Sequence, residues 1–159
     1  MDAITLKRIE TAHPKLRTEL KQIYNEISQV LTGRAICRFS HVLRTFDEQT
    51  ALYNQKPKVT NAKAGQSFHN YGLAVDIVLI IDGKEASWNT TADYDNDKIA
   101  DWLEIVKIFN KYGWQWGLFN AKGKRYDLPH FQKTFGYSWQ KLKELHDAKK
   151  VDAAGYVLI

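Results

Sequence analysis

Between Pro14 and Leu31 apolar side chains return at Leu16, Leu20, Ile23, Ile27 and Val30, alternating steps of four and three that lay one buried stripe along a helix. Pro14 suits the first turn of that helix, and Gly33 lies just past its end. Ala35 to Phe39 alternates with a period of two and predicts a short strand; Thr45 with Glu48 forms a capping-box pattern opening a helix through Leu52 and Tyr53. The polar stretch from Tyr53 to Phe68 carries Pro57 and Gly65 and reads as an irregular loop. Ala74 to Ile81 predicts a mostly buried strand, which Asp82 and Gly83 turn into a polar surface excursion running to Asp97. Helical spacing returns at Ile99, Trp102, Val106 and Phe109 and is closed by Gly113. Trp114 to Trp116 and His130 to Gln132 read as short strands separated by a loop with Gly117 and Gly123. Ser138 caps a last helix carrying Trp139, Leu142 and Leu145, and Tyr156 to Ile159 predicts a terminal strand. The expected class is α+β: a small antiparallel sheet flanked by helices, in a single domain spanning 1–159.

Composition narrows this picture by exclusion. With 159 residues, 44% of them hydrophobic, the chain is too apolar to be disordered and long enough to bury a core without a metal or disulfide to staple it. A metal, if present, is then there for chemistry. The net charge of +5 is scattered rather than gathered in one run, which favours encounter with any anionic partner, nucleic acid, membrane surface or bacterial wall polymer alike, and decides among none of them. Cys37 is the only cysteine, so an internal disulfide and a thiolate zinc site are both excluded. The opening residues have neither an apolar core segment nor a small-residue cleavage site. The expectation is a chain made in the cytoplasm without a signal peptide, with no membrane insertion, that reaches any outside substrate by another exit.

The unusual chemistry lies in two segments. In Ser67 to Asp76 a histidine, His69, sits in a glycine-bearing loop, and Asp76 stands among Val75, Ile77 and Val78 at the start of an apolar strand. A carboxylate there costs several kcal/mol of desolvation unless a cation or strong donors meet it, and a metal shared with His69 would answer that cost. The second segment, Tyr126 to Phe131, carries Asp127 and His130 on either side of Pro129. His69, Asp76 and His130 would supply three ligands of a catalytic zinc with an open water position, leaving Asp127 as general base. Spacing alone leaves this open, because Asp127 and His130 face opposite ways on a straight strand. Taken singly, each residue also has a structural reading: His69 held by backbone hydrogen bonds, Asp76 capping a turn, Asp127 and His130 as a hydrogen-bonded pair, Arg44 solvated at a helix start. Trp114 and Trp116 fit either a core or a ligand platform, and Cys37 reads as a small buried residue.

Together the SxHxxGxAxD form of Ser67 to Asp76 and the D-x-P-H form of Asp127 to His130 resemble the zinc peptidases that cut bacterial wall peptides. That family includes D-alanyl-D-alanine carboxypeptidases and dipeptidases and the L-alanyl-D-glutamate endopeptidases of phage endolysins and bacterial wall enzymes. The endopeptidase branch is the closer likeness, since His13-Pro14 with Leu16-Arg17, Leu43-Arg44-Thr45 with Gln49, Val59 to Ser67, and Trp114 to Gly117 follow in the expected order. The resemblance implies a Hedgehog and D,D-peptidase-like fold. It implies zinc on His69, Asp76 and His130, Asp127 activating the metal water, Arg44 steadying the carbonyl oxygen or a substrate carboxylate, and Ser67, Trp114 and Trp116 lining the substrate path. Two departures stand out: Leu118-Phe119-Asn120 replaces a further glycine and tryptophan of many relatives, and the excursion from Glu85 to Asp97 offers to reshape the cleft.

The expected protein is a monomeric zinc-dependent endopeptidase hydrolysing the L-alanyl-D-glutamate bond of peptidoglycan stem peptides, with no nucleic-acid partner. The lack of a signal peptide favours a phage endolysin released by a holin, or a prophage-derived enzyme. The alternatives are a D,D-carboxypeptidase or dipeptidase on D-Ala-D-Ala termini, and a non-catalytic wall-binding module.

Overall fold

The computed structural model describes residues 1–159. Its helices are α1 (Ala3–Ile9), α2 (Arg17–Val30), α3 (Phe46–Tyr53), α4 (Asp101–Lys111) and α5 (Trp139–Asp147), with single 3-10 turns at Pro14–Leu16 and Phe68–Tyr71. Its strands are β1 (Ala35–His41), β2 (Ala74–Ile81), β3 (Glu85–Ser87), β4 (Gln115–Phe119) and β5 (Arg125–Gln132). All pairings are antiparallel in the order β1-β2-β5-β4. The central strand β2 shares its second edge between β5, against Ala74–Asp76, and the short β3, against Leu79–Ile81. The α+β class is therefore as the sequence predicts, and no helix is long and apolar enough to cross a membrane.

One face of the sheet builds the core. Val75, Ile77, Leu79 and Ile81 of β2 point into it with Phe39 of β1 and Phe131 of β5, and meet Leu20, Ile23 and Ile27 of α2 and Trp102, Ile105 and Phe109 of α4. Phe131 stacks on Phe109 with ring centroids 4.2 Å apart. The intervening residues of β2, Asp76 among them, face the other way. That second face carries the chemistry.

Several elements differ from expectation for local reasons. The stripe of α2 ends at Ile27, because the helix stops at Val30, which is exposed, and Tyr24 and Leu31 fill the space. Gly33 does not cap α2; a Cβ there would lie 2.3 Å from the Tyr94 carbonyl oxygen, so glycine permits a loop crossing instead. Helix α1 has too few residues to show a period, and its N-cap Asp2 was the available signal. The terminal strand is reduced to an isolated bridge between Val151 and Val157. The excursion after Gly83 contains β3 and packs against the end of α2, where Asp95 Oδ2 accepts from the Thr32 N–H and hydroxyl at 3.2 Å. It lines no part of the cleft described next.

Candidate metal centre and its cleft

Strand register puts the first two residues together: Asp76 of β2 lies directly opposite His130 of β5, while their neighbours Val75 and Phe131 pair on the core face. The third, His69, comes from the 3-10 turn that runs into β2. Ser67 caps that turn, its Oγ accepting from the His69 N–H at 3.2 Å, and the Asn70 side chain accepts from the Ser67 N–H at 3.2 Å. Gly72 ends the turn at φ 68°, with a Cβ position only 2.5 Å from the His13 nitrogen.

Hydrogen bonding fixes which imidazole nitrogens are free. His69 Nδ1 is 2.8 Å from the Val42 carbonyl, an oxygen that can only accept, so Nδ1 carries the proton and Nε2 presents a lone pair. That buried Nε2 lies 3.1 Å from Asp76 Oδ1 but is not aligned for a hydrogen bond and has no partner. His130 Nε2 donates to Gln132 Oε1 at 2.8 Å, leaving the Nδ1 lone pair 3.1 Å from the same Asp76 oxygen. Three acceptors thus meet with their ligand atoms within 4.8 Å of one another. Facing lone pairs repel unless a cation sits among them, and imidazoles whose second N–H is tied to an oxygen are the usual way to orient metal ligands. The residues fit a metal ion. Burial pushes the Asp76 carboxyl up, but positive charge at the facing imidazole nitrogens, where a proton takes the place a metal would fill, outweighs it through hydrogen bonds from His130 and His69 and holds the group below the ordinary carboxylate range, so it stays ionised as a ligand must.

Asp127 reaches the same place by a distortion of β5. Opposite the two-residue step from Trp116 to Leu118, β5 advances from Phe131 to Tyr126, and Asp127 adopts φ 56° within this arch. The Trp116 indole N–H donates to the Leu128 carbonyl at 2.7 Å and pins it. On a straight strand Asp127 and His130 diverge; here Asp127 Oδ2 is 4.0 Å from His130 Nδ1. Burial lifts the Asp127 carboxyl above its ordinary value, with His130 opposing and Asp76 reinforcing the rise.

Arg44 is held from behind. Its backbone N–H donates to the His69 carbonyl at 3.0 Å and its carbonyl accepts from Asn70 Nδ2 at 3.0 Å. Buried Gln49 accepts from the guanidinium at 3.2 Å and anchors itself on the Ala62 carbonyl at 2.8 Å. The guanidinium makes no ion pair within the chain, so its charge is free for a ligand.

A cleft of about 510 Å³ joins Arg44, Ser67, His69, Asp76, Asp127 and His130, with Val59, Leu118 and Trp139 as apolar wall. Trp114 is not part of it. That residue is 3% exposed, edge-on to Phe109, and donates its indole N–H to Glu19 at 2.8 Å, which makes it a core residue and corrects its assignment to the substrate path. Trp116 is half-buried beneath the Arg125 guanidinium and does not line the cleft either. Leu118, by contrast, lies in the departing Leu118-Phe119-Asn120 segment and does form part of the wall. Val42 and Gln132, which orient the imidazoles, escaped the sequence reading. Gln132 stands two residues past His130 and so shares its face of β5, a signal that was available. Cys37 is buried, and burial raises its thiol far above the reactive range.

Known proteins resemble this chain in sequence and in fold. Residues 60–133, which contain both motifs, match the family model described as D-alanyl-D-alanine carboxypeptidase. Over 95 residues the chain is 39% identical to the peptidoglycan L-alanyl-D-glutamate endopeptidase CwlK of Bacillus subtilis (strain 168), an alignment covering 56% of this chain and 55% of that protein. The chain thus spans about half the length of this relative. The fold is that of the L-Ala D-Glu endopeptidase ChiX of Serratia marcescens, with a TM-score of 0.56 at 20% identity, covering 85% of this chain and 90% of the other.

Proposed function

We propose that this chain is a zinc-dependent peptidoglycan endopeptidase that hydrolyses the L-alanyl-D-glutamate bond of wall stem peptides, with His69, Asp76 and His130 holding the metal. The observation that carries the reading is the convergence of two imidazoles, each with its far nitrogen tied to an oxygen, on one buried carboxylate, in a cleft that also contains a second carboxylate and an unpaired guanidinium. The names of the matched relatives support the choice of bond.

When bound, zinc lowers the pKa of a coordinated water towards roughly 7 and polarises the scissile carbonyl. Asp127 takes a proton from the attacking water on its carboxylate and returns it to the leaving amine nitrogen, a task suited to a carboxyl lifted by burial. Arg44 presents a permanent positive charge to the carbonyl oxygen or to a substrate carboxylate, of which a stem peptide with D-glutamate has one to offer. Ser67 keeps the His69 turn in place and contributes polar wall; Val59 and Leu118 exclude water along the apolar wall. The expected setting is a single-domain monomer working at the bacterial wall.

The test is zinc analysis of the purified protein together with mass spectrometry of digested peptidoglycan. One zinc per chain and new N-terminal D-glutamate are expected. Release of free D-alanine instead would favour a D,D-carboxypeptidase, the second reading, which rests on the description of the matched family. A zinc-loaded protein that releases no fragment would be a binding module.

A further inference from the structure

Away from the cleft, Asp93, Asp95, Asp97, Asp101 and Glu104 crowd the connection into α4. Counted from Asp93 as position 1, they fall at positions 1, 3, 5, 9 and 12 of a twelve-residue loop, with the Ile99 carbonyl at position 7. That is the ligand spacing of a helix-flanking calcium loop. Lys98 occupies position 6, where such loops turn sharply and favour glycine; it has φ 77° and its N–H donates to Asp93 Oδ2 at 2.9 Å.

Spacing and turn geometry alone would describe only an acidic loop. The decisive residue is Asp101, which is 0% exposed. One of its carboxylate oxygens lies within 4.8 Å of those of Asp93 and Asp95. Its Oδ1 accepts from the Tyr94 N–H at 2.7 Å, while its Oδ2 is buried with no donor at all. Glu104 Oε2 is likewise buried and without a donor, in a second group with Asp95 and Asp97. None of the five carboxylates makes an ion pair within the chain. Burial first, then Asp97, Asp95, Asp101 and Asp93, push the Glu104 carboxyl up to about 7. Buried carboxylate oxygens without a donor, set among further carboxylates and no cationic side chain, are costly unless a cation completes them.

We propose that residues 93–104 form a calcium-binding site, with Asp93, Asp95, Asp97, Asp101, Glu104 and the Ile99 carbonyl as the oxygen ligands. An all-oxygen set suits a hard divalent cation, and a flexible loop of six ligands suits calcium over magnesium, which demands tighter octahedral geometry. The site is independent of the peptidase reading. It ties the first turn of α4 to the Thr32-Gly33 turn that precedes β1, since Asp95 accepts from Thr32 and a Cβ on Gly33 would lie 2.6 Å from the Asp95 Cα. Calcium therefore joins two elements whose side chains meet in the core.

Calcium chloride titrated calorimetrically into the chelator-stripped full chain tests this, alongside thermal melts in calcium and in magnesium. One site is expected, with Kd of about 10⁻⁶ to 10⁻⁴ M. The melting temperature should rise by roughly 5–10 °C at a hundredfold excess over Kd, and far less in equimolar magnesium. Glu104→Gln and Asp97→Asn should each weaken calcium by about tenfold or more; Asp97 is exposed, so its variant reports even if the other fails to fold. His69→Ala should leave the calcium affinity unchanged. Absence of heat and of any melting shift up to about 10 mM calcium overturns the proposal. So does binding that survives Asp97→Asn at full strength, or that is lost in His69→Ala.

Discussion

Asp76 and His130 face each other across β2 and β5, with His130 Nδ1 3.1 Å from Asp76 Oδ1. One register fixes both this pair and the burial of Val75 and Phe131 behind it, so a slip of one residue would send the ligands into the core and the core residues into the cleft. The site is specified by the same pattern that specifies the fold.

Gln132 should matter to the metal although it does not touch the ligand position. Its Oε1 accepts from the His130 Nε2–H at 2.8 Å and so leaves Nδ1 free to face the ligand position beside Asp76. Gln132→Leu is expected to fold and to bind zinc about 10–100-fold more weakly, read by competition with a coloured chelator. Equal affinity in both proteins would remove Gln132 from the site.

Asp127→Asn separates metal binding from proton transfer. The amide keeps the volume of the side chain and cannot take a proton from water. Peptidoglycan hydrolysis should fall by about 10²–10⁴-fold while zinc content and melting temperature stay at parent values. Retained hydrolysis would show that another group is the base.

Helical stripes, the β2 strand and the two motif segments could be read directly, because periodicity and an aspartate inside an apolar run are local signals. Two kinds of feature could not. The approach of Asp127 to His130 depends on the arch in β5, which needs Gly117 opposite it at φ 66°, with a Cβ position 2.7 Å from the Tyr126 carbonyl; that is a tertiary relation invisible in either strand alone. Trp114 is ambiguous in the sequence because Trp116, two residues on, shares its face of the same strand start; only the hydrogen bond to Glu19, far away in α2, distinguishes the buried Trp114 from the half-buried Trp116. The carboxylates from Asp93 to Asp97 fall in the polar excursion and Asp101 and Glu104 in the helical stretch that follows, so their common spacing shows only when the two segments are taken together.

Trp114→Phe tests that correction. The substitution keeps an aromatic ring against Phe109 and deletes the N–H that donates to Glu19, whose carboxylate retains Lys133 at 2.8 Å. A loss of about 1 kcal/mol in a denaturant melt is expected, with KM and kcat on a soluble stem peptide unchanged. A raised KM at unchanged stability would return Trp114 to the substrate path.

Asp2 links the N-terminal helix to the sheet in a way that depends on pH. Its carboxylate accepts from Arg38 Nε at 2.9 Å and Nη2 at 3.0 Å and from the Thr5 hydroxyl at 2.8 Å, and the Arg38 hydrogen bonds hold its carboxyl below the ordinary range. A carboxyl lowered in the folded state contributes stability that is fully present above the unfolded value of about 3.9 and is lost as the pH falls through the folded value. Asp2→Asn keeps an oxygen to cap α1 and removes the charge. The parent should therefore melt above the variant by a constant margin between about pH 5 and 7, and the margin should narrow progressively below about pH 4. Thermal melts across that range check it: a margin that does not narrow at all between about pH 5 and pH 3 would mean that shape and capping, not the charge facing Arg38, stabilise this corner.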